Sequence, residues 1–342
     1  MTSREEQVTE SIQRALAAVV LLAVAQCARA EVSEIVVSQQ YGVSFLPLMV
    51  MERDRLVEKH AKALGLGEVK TKWASVAGPS VMNDGVISGA IQFIAVGAPS
   101  LITLWDKTRS NVQVKGVCAM TTYPLYLNVR NPNIKSIKDF SDKDKIVVPS
   151  VKISTQAIML QMEAAKVFGQ ADYAKLDPYT VGLSHPDGLL ALTNGSNGVD
   201  AHFTSSPFHE QEIKIPGVRT LTTNYEILGG PATAVVIAAS TAFRDANPKS
   251  YQAFFDALKE AIDWINKDKH EAAKVYIQQA KDTKNSPEDI YAMISAPDYK
   301  YTLTPQKVGK TADFMYQIGT IKNKPASWKD LFFPEVQSLP GD

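Results

Sequence analysis

Cysteine is scarce in this sequence, which has two thiols, Cys27 and Cys118, among its 342 residues. No Cys-x-x-Cys pair, Gly-x-Ser-x-Gly elbow or Walker A phosphate loop occurs either. These gaps argue against a paired-cysteine site, a serine hydrolase of the α/β type and nucleotide hydrolysis. We therefore expect no cofactor in this chain.

An excess of charge of one sign is also missing, because 36 acidic residues balance 36 basic ones and the formal net charge is zero. A protein that binds nucleic acid or an anionic membrane surface usually carries a clustered basic excess. We therefore expect no nucleic-acid partner. The hydrophobic fraction of 45% is ordinary for a globular protein, and the length is sufficient for two domains.

The N-terminal segment carries an apolar run that is too short to span a membrane. Residues 15–25 are eleven consecutive apolar residues, whereas a spanning helix needs about 20. Ala28-Arg29-Ala30 follows and fits cleavage by signal peptidase before Glu31. The sequence therefore predicts a signal peptide over residues 1–30 and export to the periplasm.

Two features of this segment leave alternatives open. Glu5, Glu6 and Glu10 dilute the expected positive charge, which a start site placed too far upstream would explain. Cys27 could instead become the acylated first residue of a lipoprotein, although no small residue directly precedes it. In either case Cys118 has no disulfide partner in the mature chain, so stability must come from the core.

Strands and helices alternate along the first third of the chain. Four apolar segments are typical of buried strands, and helical segments lie between them. The predicted strands are 33–38, 69–73, 91–96 and 112–120, and the predicted helices are 45–65, 79–88 and 101–105. This order predicts a parallel sheet with right-handed crossovers.

A second α/β set begins after residue 122, and the chain then returns to the first sheet through an apolar strand at 234–238. From residue 247 onward the pattern is helical. We predict a first lobe of residues 31–122 and 225–342 and an inserted second lobe of residues 123–224. The hinge segments would be 121–124 and 224–230, as in proteins that close around a ligand.

Two loops of small residues, 77–80 and 97–100, each lead from a strand region into a predicted helix. Both should lie at the carboxyl ends of the strands, where open α/β sheets bind ligands. Free backbone N–H groups at a helix start suit an anion or a carbonyl oxygen. The alternative is that the small residues only permit tight turns.

Five segments of the chain resemble the solute-binding proteins of ATP-driven importers in the nitrate/sulfonate/taurine/bicarbonate class. They are LPLMVMERDRLVEKHAKALGL, GPSVMNDGVISGAIQFIAVGAPSLITLWDK, VKGVCAMTTYPLYLNVRNPNIKSIKDF, AHFTSSPFHEQEI and TADFMYQIGTIKNKPASWKDLFFPEV. The resemblance covers essentially the whole chain after residue 30. It implies an α/β protein of the type II periplasmic binding protein fold, with two lobes, a hinge and a helical C-terminal region.

The resemblance also implies the function. The chain would be a monomeric receptor that captures a small solute between its lobes and delivers it to a membrane permease driven by a separate ATPase. Carried over by position, the ligand-binding residues would be Gln40, Tyr41, Gly78, Pro79, Ser80, Gly97, Ala98, Pro99, Ser154, Thr155, Gln156, His202, Phe203 and Thr204.

Several of these residues have more ordinary interpretations. Ser154 could only cap a helix, and His202 could only pack in the core. Tyr41 could stack on a planar ligand or cover the hinge. His185, before Pro186, could face the cleft or lie in solvent. His202 and His209 are seven residues apart without clustered cysteine or carboxylate, so we expect no metal site.

The class of solute stays open, because none of the mapped loops contains Arg or Lys. An anion held by helix starts, a small organic acid and a neutral heterocycle are all compatible. A periplasmic sensor module is an alternative function. A further alternative is the enzyme branch of this fold that makes the thiamin pyrimidine with a Cys-rich iron site, but this chain lacks such a cluster. We expect no catalysis.

Overall fold

The computed structural model describes residues 31–342, and its strands form two separate sheets. The first sheet comprises β1 (Glu34–Gln39), β2 (Lys70–Ser75), β3 (Phe93–Val96), β4 (Val114–Thr122), β10 (Thr233–Ser240) and β11 (Lys300–Tyr301). The second comprises β5 (Tyr126–Val129), β6 (Lys145–Val148), β7 (Thr180–Gly182), β8 (Val199–Thr204) and β9 (Arg219–Thr223). The predicted signal peptide lies outside the described residues.

The first sheet has the order β11-β4-β10-β3-β1-β2. Strand β1 is parallel to both β2 and β3, as the alternating pattern predicts. The expectation of an all-parallel sheet is wrong at β10, which lies between β3 and β4 and is antiparallel to both. This strand is the return segment of the chain, and its eight buried residues are as apolar as those of a parallel strand. Composition therefore could not reveal its direction.

The second sheet has the order β7-β6-β8-β5-β9. Its parallel core is β6 with β7 and β8, and β5 pairs antiparallel with β8 and β9. All five strands of this sheet lie between residues 126 and 223, and all strands of the first sheet lie outside that range. The chain crosses between the sheets after β4 and again before β10.

Helices cover the sheets and follow β10 to the C-terminus. They are α1 (Leu46–Asp54), α2 (Leu56–Ala63), α3 (Pro79–Ser88), α4 (Ala98–Lys107), α5 (Thr155–Phe168), α6 (His185–Asn194), α7 (Phe208–Glu212), α8 (Asn224–Leu228), α9 (Thr241–Ala246), α10 (Pro248–Lys267), α11 (Lys269–Ala280), α12 (Pro287–Ser295) and α13 (Val308–Gln317). No helix of the described part is long and apolar enough to cross a membrane.

Two helical expectations need correction. The single helix predicted over 45–65 is divided between α1 and α2 by Arg55, whose left-handed φ of 52° interrupts the helical hydrogen bonds. The C-terminal region is not wholly helical, because β11 pairs with β4 at the edge of the first sheet. Neither position carries the glycine, proline or alternating pattern that usually signals such features.

The core beside the first sheet is built on aromatic stacking between a strand and a helix. The ring of Phe93 stacks on that of Phe254 with centroids 3.7 Å apart, and both side chains are fully buried. Cys118 lies in the same sheet at 0% exposure, and burial raises the pKa of its thiol far above the usual range. Its sulfur is therefore a core atom without access to solvent.

Candidate functional site

The loops at the carboxyl ends of the two sheets meet face to face. A Cβ atom at Gly97, before α4, would lie 1.9 Å from the Thr155 hydroxyl at the start of α5. A Cβ atom at Gly78, before α3, would lie 2.3 Å from the carbonyl oxygen of Pro149. Each contact joins one sheet's loops to the other's, so glycine is required at both positions for this approach.

The contact continues around the loop after β1. The backbone N–H of Val43 donates to the carbonyl oxygen of Ser206 at 3.3 Å, and the Ser80 hydroxyl donates to that of Ser150 at 3.2 Å. The two halves of the cleft are therefore in direct hydrogen-bonded contact. The structure is in a closed state.

A small cavity of about 30 Å³ remains inside the closed cleft. That volume accommodates one or two water molecules, whereas pockets for organic ligands usually measure hundreds of Å³. The lining includes no Lys, Arg, Asp or Glu. Its residues are Gln40, Phe45, Pro79, Gly97, Tyr123, Leu125, Ser154, Thr155, Gln156, His185, Ser205, Ala234 and Val235.

Six of the fourteen residues carried over from the resemblance line this cavity: Gln40, Pro79, Gly97, Ser154, Thr155 and Gln156. Gly78 and Ser80 instead touch the loop after β6. Ala98 and Pro99 are buried in the first turn of α4, and Tyr41 lines a separate groove of about 480 Å³ outside the cavity. His202, Phe203 and Thr204 are buried in β8 but do not line the cavity.

Helix capping explains why the α5 start presents polar groups. The Ser154 hydroxyl accepts a hydrogen bond from the backbone N–H of Ala157 and donates to the carbonyl oxygen of Ser150. The hydroxyl therefore uses both its proton and a lone pair for contacts within the cap. Thr155 and Gln156, the first residues of the helix, are left to face the cavity.

Tyr123 and Ser205 also line the cavity, although the sequence did not select them as ligand-binding residues. His185 lines it too, which decides between the cleft and the solvent position that the sequence left open. His185 opens α6 behind the N-cap Ser184, just as Thr155 opens α5 behind Ser154. That repeated Ser-capped start was a usable signal. Tyr123 follows β4, where burial raises its pKa to about 12 and the Ser44 and Ser205 hydroxyls oppose the rise.

His185 is the cavity end of a buried chain of hydrogen bonds. Its Nδ1 lies 3.0 Å from Nε2 of His202, and Nδ1 of His202 lies 2.5 Å from Oε1 of Glu212. The Nε2 atom of His185 lies 3.4 Å from Nε2 of Gln156. Burial and the neighbouring His202 ring hold the pKa of His185 well below its usual range, so this imidazole is neutral.

The two histidines considered as metal ligands, His202 and His209, make different contacts. His202 points to Glu212 and His185, whereas His209 lies beside Asn128 and stacks on Tyr126 with centroids 3.6 Å apart. The two rings belong to different contacts. Residues 31–342 contain no group of three His, Cys, Asp or Glu that could hold a metal ion.

Several solved structures share the architecture over nearly their whole length. The alkanesulfonate-binding protein from Xanthomonas axonopodis pv. citri, bound to MOPS, matches with a TM-score of 0.66 and 16% identity over 86% of this chain and 96% of its own. The periplasmic nitrate-binding protein from Synechocystis PCC 6803 matches with a TM-score of 0.65 and 16% identity over 88% of this chain and 84% of its own.

A protein from Bordetella bronchiseptica RB50 matches with a TM-score of 0.69 and 21% identity, covering 90% of this chain and 96% of that one. No protein-family model and no curated protein sequence matches the chain. At these identities the likeness establishes the fold, which is that of the periplasmic binding proteins. The predicted fold class is therefore confirmed.

Proposed function

We propose that this chain is the solute-binding component of an ABC-type importer, which captures a small solute between its lobes and delivers it to a membrane permease with a separate ATPase. The observation that supports this function most directly is the closed polar cleft between the two sheets. Loops from both sheets contribute to it, so one solute could bridge them. The fold is shared with proteins whose names record sulfonate and nitrate binding.

The solute would bind to the residues at the cavity wall. The hydroxyl of Thr155 and the side-chain amides of Gln40 and Gln156 supply neutral hydrogen-bond partners, and His185 supplies an imidazole. Because the cavity holds only water-sized objects when closed, entry of the solute requires the lobes to separate around 121–124 and 224–230. The lobe boundaries after residues 122 and 224 are part of this proposal.

A thermal-shift screen of the purified chain tests the binding role. The panel contains nitrate, bicarbonate, ethanesulfonate, taurine, pyrimidines and aromatic acids. A solute present at about 100 times its dissociation constant adds roughly 2.7 kcal/mol to the free energy of unfolding and raises the midpoint clearly. Catalytic conversion of any panel compound without stabilisation would contradict a pure binding role. An unfolding midpoint that no panel compound raises would count against these solute classes.

Export is a further part of the proposal, and it concerns residues outside the described part of the chain. Cleavage before Glu31 would shorten the chain by about 3 kDa. Mass spectrometry of the native protein from the periplasmic fraction measures this loss. An intact N-terminus on protein recovered from the cytoplasm would overturn the proposed location.

A further inference from the structure

A continuous hydrogen-bonded chain connects the interior of the second sheet to the cleft. Glu212 on α7 and His202 on β8 are completely buried, and His185 at the start of α6 is 5% exposed. We call Glu212, His202 and His185 the relay. Since every nitrogen and oxygen between Glu212 and the cavity is in contact with the next, the proton positions along the relay depend on one another.

The carboxylate end determines the direction of the hydrogen bonds. Asn128 donates from Nδ2 to Oε2 of Glu212 at 2.9 Å, while its Oδ1 accepts from the Thr220 hydroxyl at 2.9 Å. When the Glu212 carboxylate is ionised it can only accept, and Nδ1 of His202 then carries the proton that it donates to Oε1. In the neutral form of the His202 ring, Nε2 is then left as an acceptor.

The same reasoning extends to the cavity. Nε2 of His202 can accept only from an N–H on Nδ1 of His185, and a neutral imidazole has one such proton. Nε2 of His185 therefore keeps its lone pair. The side-chain amide of Gln156 satisfies this lone pair through its NH₂ group, which is also the part of Gln156 that a solute would have to displace or share.

Neighbouring ionisable groups do not neutralise the charge of the Glu212 carboxylate in the relay. Asp187 accepts from the Ser184 hydroxyl, and Glu210 accepts from the Ser206 hydroxyl. His209 is neutral at pH 7, because burial lowers its pKa to about 4. On the cavity side Tyr123 is the other ionisable group, and its raised pKa keeps it uncharged.

Lys214 approaches the carboxylate of Glu210 and does not line the cavity. With an ionised Glu212 and a neutral His202, the relay has a negative charge behind the cavity wall, and Nε2 of His185 offers a lone pair to the cavity. Both features favour a hydrogen-bond donor, and they disfavour an oxyanion.

We propose that the unliganded relay holds an ionised Glu212 and a neutral His202, which act as positioning residues and keep Nε2 of His185 as an acceptor. The cleft then selects a neutral or cationic solute with an N–H or O–H donor, and it takes an oxyanion only together with one proton. This inference rests on the proposed solute-binding function and narrows its solute class.

The proton balance for an oxyanion is explicit. One proton from solvent is taken up, and the relay reverses: Nε2 of His185 gains a proton and donates to the anion. The proton on Nδ1 of His185 passes to Nε2 of His202. His202 is then an imidazolium paired with the Glu212 carboxylate, so the relay is neutral overall and carries one proton more than before.

Nitrogen NMR of the full chain labelled with ¹⁵N-histidine tests the relay without any solute. The sequence has five histidines, so each can be assigned by single substitution. At pH 8 we expect the Nδ1-protonated tautomer for His185, with an unprotonated Nε2. A protonated Nε2 on His185 in the unliganded wild type at pH 8 would overturn the proposal.

Glu212→Gln should reverse the direction of the relay. The Asn128 amide donates to this position, so the glutamine oxygen must face Asn128 and its NH₂ group must donate to Nδ1 of His202. His185 is then expected in the Nε2-protonated tautomer at pH 8. A His185 tautomer identical to that of the wild type in a folded Glu212→Gln protein would contradict the relay.

The matched control is Glu260→Gln, which removes a carboxylate from the solvent-accessible pair with His60, whose Nε2 lies 2.7 Å from Glu260. It should leave the His185 signals unchanged. If Glu212→Gln does not fold, the wild-type tautomer and the following measurement still decide the question.

Calorimetry with ethanesulfonate and nitrate, in two buffers of different ionisation enthalpy, counts the protons bound with each anion. We expect either no binding at pH 8 or uptake of one proton, with affinity falling about tenfold per pH unit on the alkaline side. Tight binding of either anion at pH 8 without proton uptake would overturn the inference. Such a result would leave the proposed receptor function in place, so the two failures are distinguishable.

Discussion

At the scale of single residues, the position of His202 depends on a glycine in the neighbouring helix. A Cβ atom at Gly188 in α6 would lie 2.6 Å from Cε1 and 2.7 Å from Nε2 of His202. The ring cannot retreat, because both of its nitrogens are held by hydrogen bonds to His185 and Glu212.

Gly188→Ala should therefore destabilise the protein by about 1–3 kcal/mol, as overpacked core substitutions do. Alanine in a helix would otherwise gain up to about 1 kcal/mol, so the sign of the change is informative. Urea unfolding measures it. Gly182→Ala, where a Cβ atom would meet nothing within 4 Å, is the matched control and should stay within about 0.5 kcal/mol. A stabilised Gly188→Ala protein would contradict this packing.

His209 makes the stability depend on pH. Its pKa is lowered by burial to about 4, whereas an unfolded histidine has a pKa near 6.5. The unfolded chain therefore binds more protons between these values, and the free energy of unfolding falls as the pH drops from about 6.5 to 4. His185 contributes in the same direction.

His209→Gln should reduce this loss, seen as a smaller difference between the urea midpoints at pH 7 and pH 4.5. The control is His270→Gln, because the exposed His270 also stacks on a tyrosine with centroids 3.6 Å apart. An equal change in the pH dependence of both variants would mean that the burial of His209 does not cause the loss of stability at low pH.

At the scale of secondary-structure elements, the N-cap of α5 connects stability to the cleft. Ser154→Ala removes the hydroxyl that accepts from Ala157, which should cost about 1 kcal/mol. Ser286→Ala at the exposed capping box of α12 should cost a similar amount. Only Ser154→Ala should also weaken the thermal shift of a bound solute, because only Ser154 lines the cavity. Equal solute-induced thermal shifts in the two variants would mean that the N-cap of α5 does not contribute to solute binding.

Sequence patterns predicted most individual elements, and their failures have local causes. The helix starts at α3, α4 and α5 carry strong signals, because serine, glycine and proline have specific backbone preferences there. The break at Arg55 carries no such signal. Next to the break, the Arg53 guanidinium lies 4.7 Å from the ring centroid of Trp264 in α10, a contact between residues far apart in the sequence.

Pairing partners of strands were harder to predict than the strands themselves. Strand β10 was expected to rejoin the first sheet, and it does, but its antiparallel insertion between β3 and β4 follows from the path of the whole chain. The relay was missed for the same reason. Its members come from α6, β8 and α7, and no spacing in the sequence indicates that they touch.

At the scale of the whole molecule, Gly97 controls how closely the lobes approach. In Gly97→Val, the Cβ atom of the valine would lie 1.9 Å from the Thr155 hydroxyl oxygen. Because this overlap prevents the two halves of the cleft from meeting, the closed state should be lost. The radius of gyration from small-angle scattering should rise above the closed value of about 20 Å. The solute-induced thermal shift should disappear while the protein remains folded.

The control for this change is Gly67→Ala, because a Cβ atom at Gly67 would meet nothing within 4 Å. It should leave scattering and solute response unchanged. Retained closure and binding in Gly97→Val would remove this loop from the site.

The two-sheet architecture followed from the order of elements and from the resemblance, whereas the state of the cleft did not. Gly78 and Gly97 were selected as parts of a binding loop, and the structure places them against Pro149 and Thr155 of the opposite half. Which residues face a cavity depends on side-chain direction at the contact. That is why His202 was carried over as a ligand-binding residue, whereas His185, which lines the wall, was left open between the cleft and solvent.

Cys118 is the one cysteine of residues 31–342, and its burial makes that part of the chain suited to site-specific fluorescence labelling. A thiol at 0% exposure with a raised pKa reacts slowly with maleimides, so engineered cysteines on the surface would carry the dyes. Val81 on α3 and Val151 after β6 are 56% and 40% exposed and belong to opposite halves of the cleft. A donor and an acceptor dye at these two positions would report opening or closing of the cleft as a change in energy transfer, and would make the proposed solute binding visible optically.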